Sequence, residues 1–175
     1  MKLILLLTFF AFNYCGFSQV DTSYKLTSFS RDSYKIQYPK SWRIDTSKTM
    51  GPELFVFSPL ENQNDKFSEN VNVIIQDLAG QNIDLKKYKQ ITEGQLTNMA
   101  TDGKIVESSI VKGNKGDYYK IIYSRTQGNF RLKITSLCYI KNDKAYLVTF
   151  TSEFDKYDQY NKIGQEILNS FSLTK

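Results

Sequence analysis

An α+β fold, with a predominantly antiparallel sheet and two principal helices packed on it, is what this 175-residue chain predicts. Residues 118–152 hold three successive runs of alternating or β-branched character, joined by short turns. Residues 155–170 then carry apolar side chains at helical spacing. The order along the chain is strands, helix, strands, helix, which favours helices laid on an antiparallel sheet over a parallel doubly wound fold.

The elements follow in order. Residues 25–29 and 34–38 predict a hairpin around Ser30-Arg31-Asp32-Ser33, with Tyr34, Ile36 and Tyr38 inward and Lys35 and Gln37 in water. Pro39 stops the second strand because it lacks an N–H and restricts the residue before it. Trp42, the sole tryptophan, is expected to seal an end of the core rather than stack on a ligand. Residues 53–57 form the next strand, closed by Pro59. The polar stretch 60–70 reads as a mobile loop, and 71–78 returns as a strand with Val71, Val73 and Ile75 on one face.

A helix is predicted over 84–100. Asp84 is its N-cap, Leu85, Tyr88, Ile91, Gln95, Leu96 and Met99 are its stripe, and Gly103 lies just past its end. Residues 104–111 form a strand, and Gly113-Asn114-Lys115-Gly116 turns the chain into the 118–123 strand. In 130–140, Phe130, Leu132, Ile134, Ser136, Cys138 and Ile140 share one face. The opposite face changes from Arg131 and Lys133 to Leu137 and Tyr139, so its far half should be covered on both sides. Lys141-Asn142-Asp143-Lys144 is a tight turn, because Asn and Asp tolerate left-handed backbone. Residues 145–152 suit a central strand. Asp155 is expected to cap the last helix, with Asp158 in its first turn and Tyr157, Tyr160, Ile163, Ile167, Leu168 and Phe171 as the buried stripe.

Residues 1–18 stand outside that core. Lys2, an apolar run from Leu3 to Phe12, and small residues at Gly16 and Ser18 predict a secretory signal peptide cleaved before Gln19. Residues 19–24 then form a tail and 25–175 a single domain. The protein is accordingly expected to be secreted or periplasmic, with no integral membrane segment after cleavage. Lipoprotein anchoring at Cys15 is the disfavoured alternative, because Phe12 and Tyr14 fit a lipoprotein cleavage site poorly. Removal of the leader leaves Cys138 alone, which excludes an intrachain disulfide and predicts a buried free thiol.

Composition narrows function mostly by exclusion. There are no histidines, so the usual base for a Ser or Cys nucleophile and the commonest zinc ligand are missing. No phosphate-binding or dinucleotide fingerprint occurs. The chain carries 23 basic and 18 acidic residues, with lysines dispersed except at Lys86, Lys87 and Lys89, which does not suit nucleic acid. Glu61, Asp65 and Glu69 could offer oxygen ligands to calcium, but they lack the alternation and glycine of a calcium loop and read as a solvated segment. Tyr118, Tyr119 and Tyr123 are read mainly as packing residues, with recognition as the second use. No catalytic, cofactor-binding or metal-binding residue is assigned, and no cofactor is expected.

The chain resembles the PsbP-like domain family. The resemblance rests on Tyr34-Lys35-Ile36-Gln37-Tyr38-Pro39-Lys40-Ser41-Trp42, a strand followed by Pro-x-x-Trp; on Asn70-Val71-Asn72-Val73 leading to a strand and helix; and on Lys144-Ala145-Tyr146-Leu147-Val148-Thr149-Phe150 before a Tyr-rich helix ending Asn169-Ser170-Phe171. That family includes a lumenal extrinsic protein of the oxygen-evolving complex and many small secreted bacterial proteins, and a nuclear Ran-binding protein shares its fold. The resemblance implies an α/β/α sandwich around a mostly antiparallel central sheet, and binding or assembly rather than catalysis. The functional expectation is an exported non-catalytic binding or accessory protein of the bacterial cell envelope that docks on a protein partner. The alternative is a carrier of an apolar small molecule held between helix and sheet.

Overall fold

The computed structural model describes residues 24–99 and 103–174. The predicted signal peptide, Cys15 and most of the N-terminal tail lie outside them.

A seven-stranded antiparallel sheet divides the molecule. Its strands are β3 (Arg43–Asp45), β4 (Leu54–Phe57), β5 (Asn70–Asp77), β6 (Lys104–Val111), β7 (Tyr118–Gln127), β8 (Phe130–Lys141) and β9 (Lys144–Glu153). They lie in the order β3-β4-β5-β9-β8-β7-β6. The hairpin β1 (Leu26–Arg31) and β2 (Tyr34–Pro39) does not join it. Together with β10 (Ser172–Leu173) that hairpin makes a separate three-stranded sheet. Strands β3 and β10 are too short to leave an alternation pattern, and the sequence reading has neither.

The β8–β9 pair forms as the pattern predicts, with Cys138 opposite Leu147 and Ser136 opposite Thr149. Asn142 and Asp143 take φ values of 50° and 54° in the connecting turn, the left-handed pair that a two-residue hairpin requires. Strand β7 runs four residues beyond the predicted Tyr123, to Gln127.

Helix α2 (Tyr157–Ser170) lies on one face, in a layer shared with the small sheet. All six predicted stripe residues are buried, against Val71, Val73, Val148 and Phe150 of the sheet and Tyr34, Ile36 and Trp42 of the N-terminal segment. Tyr34 stacks on Phe171 at 5.5 Å between ring centres. The polar half of this face of β8 is covered by aromatics: Arg131 sits 3.7 Å over Phe154 and Lys133 4.0 Å over Tyr157. Helix and sheet meet closely at Gly164, where an added Cβ would lie 2.7 Å from the Phe150 ring. One expected cap is absent. Asp155 lies within a 3-10 turn (Phe154–Lys156), and Lys156 occupies the N-cap position of α2 without a side-chain cap bond. The 3-10 turn starts the helical segment one residue earlier, so Asp155 is already inside it.

Helix α1 (Leu85–Met99) lies on the other face. Asp84 caps it as predicted, its Oδ1 accepting the Lys87 N–H at 2.7 Å. Its packing differs from that of α2. Leu85, Tyr88 and Leu96 are only half-buried, while Ile91 and Gln95 of the predicted stripe are exposed. Connectivity explains this. The β5–α1–β6 connection must pass over β9, β8 and β7, a width of about 19 Å at the usual strand spacing. A 15-residue helix is about 22 Å long but only about 10–12 Å across. A single helix therefore bridges this face without covering it.

Candidate functional site

The uncovered part of that face is an open-sided cleft of about 560 Å³ between α1 and the sheet. Alternation fixes its floor. Tyr119, Ile121, Tyr123 and Arg125 of β7 point into it, as do Ile134, Ser136 and Cys138 of β8 and Leu147, Thr149 and Thr151 of β9. Asn72, Ile74 and Gln76 of β5 close one side, and Tyr88, Thr92, Gln95 and Leu96 of α1 form the roof.

The lining is amphipathic rather than purely apolar, and most of its polar groups are satisfied internally. Ser136 Oγ and Thr149 Oγ1 share a hydrogen bond of 2.8 Å. The Tyr88 hydroxyl donates to Gln76 Oε1 at 2.7 Å, tying the roof to the sheet. Tyr119 and Ser108 hydroxyls are 3.1 Å apart. Thr92 Oγ1 donates to the Tyr88 carbonyl at 2.9 Å.

Two buried polar atoms of the lining have no partner among the described residues: Asn72 Oδ1 and Arg125 Nε. Arg125 is the single charged side chain among the described residues that line the cleft. Its Nη2 donates to Gln127 Oε1 at 2.6 Å, and no carboxylate pairs with it among the described residues. A buried donor left without an acceptor costs on the order of 1–3 kcal/mol, so such groups in a cleft mark where a ligand atom is accommodated.

The thiol and the tyrosines of the lining are held in their neutral forms. Burial pushes the Cys138 thiol up to about 12, with the neighbouring Tyr88 pulling weakly the other way. Burial also raises Tyr88, Tyr119 and Tyr123. Cys138 is a buried free thiol, as predicted.

The three loop carboxylates behave differently from the expectation of a solvated, mobile segment. Glu61, Asp65 and Glu69 gather near Lys156, whose ammonium lies 3.3 Å from Glu61, 3.2 Å from Asp65 and 3.2 Å from Glu153. Asp65 also accepts the backbone N–H groups of Glu61 and Phe67 at 3.0 and 3.2 Å, which with Lys156 hold its carboxyl below the ordinary range despite burial. The Tyr160 hydroxyl donates to Glu61 at 3.0 Å. Glu69 is fully buried, the Ser58 and Ser152 hydroxyls donate to it at 3.4 Å, and burial raises its pKa against the opposing pull of backbone N–H groups and Lys156. The cation at the centre of this cluster is the protein's own lysine, and the cluster fastens the loop to α2. Among the described residues no group of three or more His, Cys, Asp or Glu side chains converges in a metal-binding arrangement.

The three tyrosines divide between the two faces: Tyr119 and Tyr123 line the cleft, while Tyr118 packs on Tyr139 at 5.2 Å on the opposite face. Arg125 is absent from the sequence reading because the predicted strand ended at Tyr123. The signal was present, since 119, 121, 123 and 125 continue one alternating face.

The PsbP family profile matches residues 24–173, essentially every described residue. The chain belongs to the PsbP family. Solved structures agree on the fold. Cyanobacterial PsbP (CyanoP) from Synechocystis sp. PCC 6803 superposes with a TM-score of 0.63 at 15% identity, over 93% of this chain and 99% of that one. LpqN, a protein involved in cell envelope biogenesis of Mycobacterium tuberculosis, gives 0.62 at 15% identity, over 89% and 94%. A protein of unknown function from Pseudomonas aeruginosa, PA94, a putative regulator by its description, gives 0.59 at 8% identity, over 83% and 94%. Among curated protein sequences there is no match. For this PsbP-family chain, no helix among the described residues is long and apolar enough to cross a membrane.

Proposed function

We propose that this PsbP-family protein is an exported, non-catalytic accessory protein of the cell envelope that acts by binding, and that the cleft between α1 and the sheet is its binding site. One observation carries the reading: a cleft of about 560 Å³, within the range of small-molecule sites, whose lining contains two buried polar atoms without partners. The raised pKa values of its thiol and tyrosines support binding over chemistry. The leader-like N-terminus supports export, and the envelope role in the description of LpqN supports the setting.

The cleft moves the weight between the two expectations drawn from sequence. A carrier needs an enclosed volume beside apolar side chains, and Ile121, Ile134, Leu147 and Leu96 supply them here. The polar wall makes the favoured ligand amphipathic rather than wholly apolar. Docking on a protein partner is the second reading; the exposed Ile91 on α1 and Val106 and Ile110 on the edge strand β6 favour it.

Native mass spectrometry of the protein taken from its host's envelope fraction tests the proposal. The polypeptide should begin at Gln19 and carry a releasable small molecule that is missing from Thr92→Trp, which fills the cleft from the roof. Wild-type and Thr92→Trp proteins with identical bound mass would refute the cleft as the site.

A further inference from the structure

The cleft has a chemical direction. Its floor runs along β7 from Tyr119 to Arg125, about 20 Å at the rise of an antiparallel strand. Ile121, Ile134, Leu147 and the neutral Cys138 thiol of the floor and Leu96 of the roof supply apolar surface along that length, beside the mutually bonded Ser136 and Thr149 hydroxyls. At one end stands the single charge. The Arg125 guanidinium gives one proton to Gln127 and leaves Nε–H buried with no acceptor. Among the described residues no acidic side chain lines the cleft, and burial of the nearby Tyr123 hydroxyl favours its protonated form. A half-buried guanidinium whose Nε–H is buried without a partner, and which no carboxylate pairs among the described residues, favours an anion brought from outside.

We infer that the cleft takes a single-tailed amphiphile carrying a carboxylate, with the carboxylate on Arg125 and the alkyl tail over Ile121, Ile134 and Leu96; this rests on the cleft being the binding site. One guanidinium opposite one head group matches a single negative charge, and a planar carboxylate matches the guanidinium fork. Arg125 stands near the end of β7 and, among the described residues, its side chain hydrogen-bonds to Gln127, so its removal should spare the fold.

The test uses the mature protein and two probes of equal tail length, dodecanoate and dodecanol, titrated by calorimetry above the carboxyl's pKa. The expected result is dodecanoate binding roughly ten- to a hundredfold tighter than dodecanol, the ratio that one charge-assisted contact supplies. Arg125→Gln should erase that preference, so that the two probes bind alike, while a cooperative urea melt shows that the variant is folded. Equal affinities in the wild type, or a preference that survives in Arg125→Gln, would overturn the assignment of the head group. Thr92→Trp separates this from failure of the cleft itself. If it abolishes binding of both probes while Arg125→Gln changes nothing, the cleft stands and the carboxylate inference falls. If both probes bind Thr92→Trp as they bind wild type, or neither binds wild type, both fall.

Discussion

Gly164→Ala puts the α2–sheet contact to a quantitative test. In an exposed helix, replacing Gly by Ala gains about 1 kcal/mol, because the glycine's backbone freedom is no longer lost on folding. At Gly164 the added Cβ would lie 2.7–2.8 Å from three ring atoms of Phe150, against an optimal separation of about 3.5–4.0 Å. Phe150 is fully buried and packs against Tyr157 at 5.8 Å, so the ring has little room to retreat. Overpacking of this kind costs about 1–3 kcal/mol, and a close approach by about 1 Å on three atoms belongs at the upper end. The net expectation is a loss of about 1–2 kcal/mol, or about 2–8 °C in Tm for a domain of this size. Gly94 on α1 is the internal control: nothing lies within 4 Å of its added Cβ, so Gly94→Ala should raise stability by about 1 kcal/mol. Urea melts followed by circular dichroism read both, and an unchanged slope keeps the comparison on stability alone. Combining Gly164→Ala with Phe150→Leu should recover part of the loss, because the two sites touch. If Gly164→Ala were as stabilising as Gly94→Ala, α2 would not seat on Phe150 as described.

Three further outcomes follow from the charged cluster and the thiol. Lys156→Met should cost about 3 kcal/mol in urea melts, because it strands the buried Asp65 beside Glu61 and Glu153; a loss below about 0.5 kcal/mol would show that the loop is anchored otherwise. Burial raises the Glu69 carboxyl above its ordinary value, so the folded state is favoured when it is protonated, and that advantage fades as pH climbs from the ordinary carboxylate range of about 4–4.5 through the raised folded value. Glu69→Gln should therefore gain on the wild type across that window, and a stability difference that is flat or of opposite slope would contradict it. Cys138, with its thiol pushed up to about 12 by burial, is held as the unreactive thiol at pH 8. It should label slowly in the native protein and fast in urea, and fast native labelling would place that face of β8 outside the core.

The fold was legible wherever a side-chain period ran long enough to count. Strand β8 and helix α2 come out nearly residue for residue, because alternation over twelve residues and a stripe from Tyr157 to Phe171 each admit one face inward. The split into two sheets was not legible, since the β1–β2 hairpin shows the same alternation whether its buried face meets a helix or a larger sheet. The site was harder for a related reason. Periodicity shows that α1 has an apolar side, but not that it must bridge β9, β8 and β7 with one helix's width, and the cleft exists only because of that crossing. The loop carboxylates were misread because Lys156, the residue that collects them, is about ninety positions away in the chain.

The cleft as binding site is tested most directly by amide proton–nitrogen correlation spectra recorded during titration with dodecanoate and, separately, dodecanol. Saturable shifts should concentrate at Tyr88, Thr92, Gln95 and Leu96 of α1 and at Tyr119, Ile121, Tyr123, Ser136 and Thr149 beneath it, with the β1–β2 hairpin and the outer face of α2 unmoved. Shifts centred on the hairpin or on α2, or spread evenly over the surface, would contradict the cleft between α1 and the sheet as the place where this protein binds.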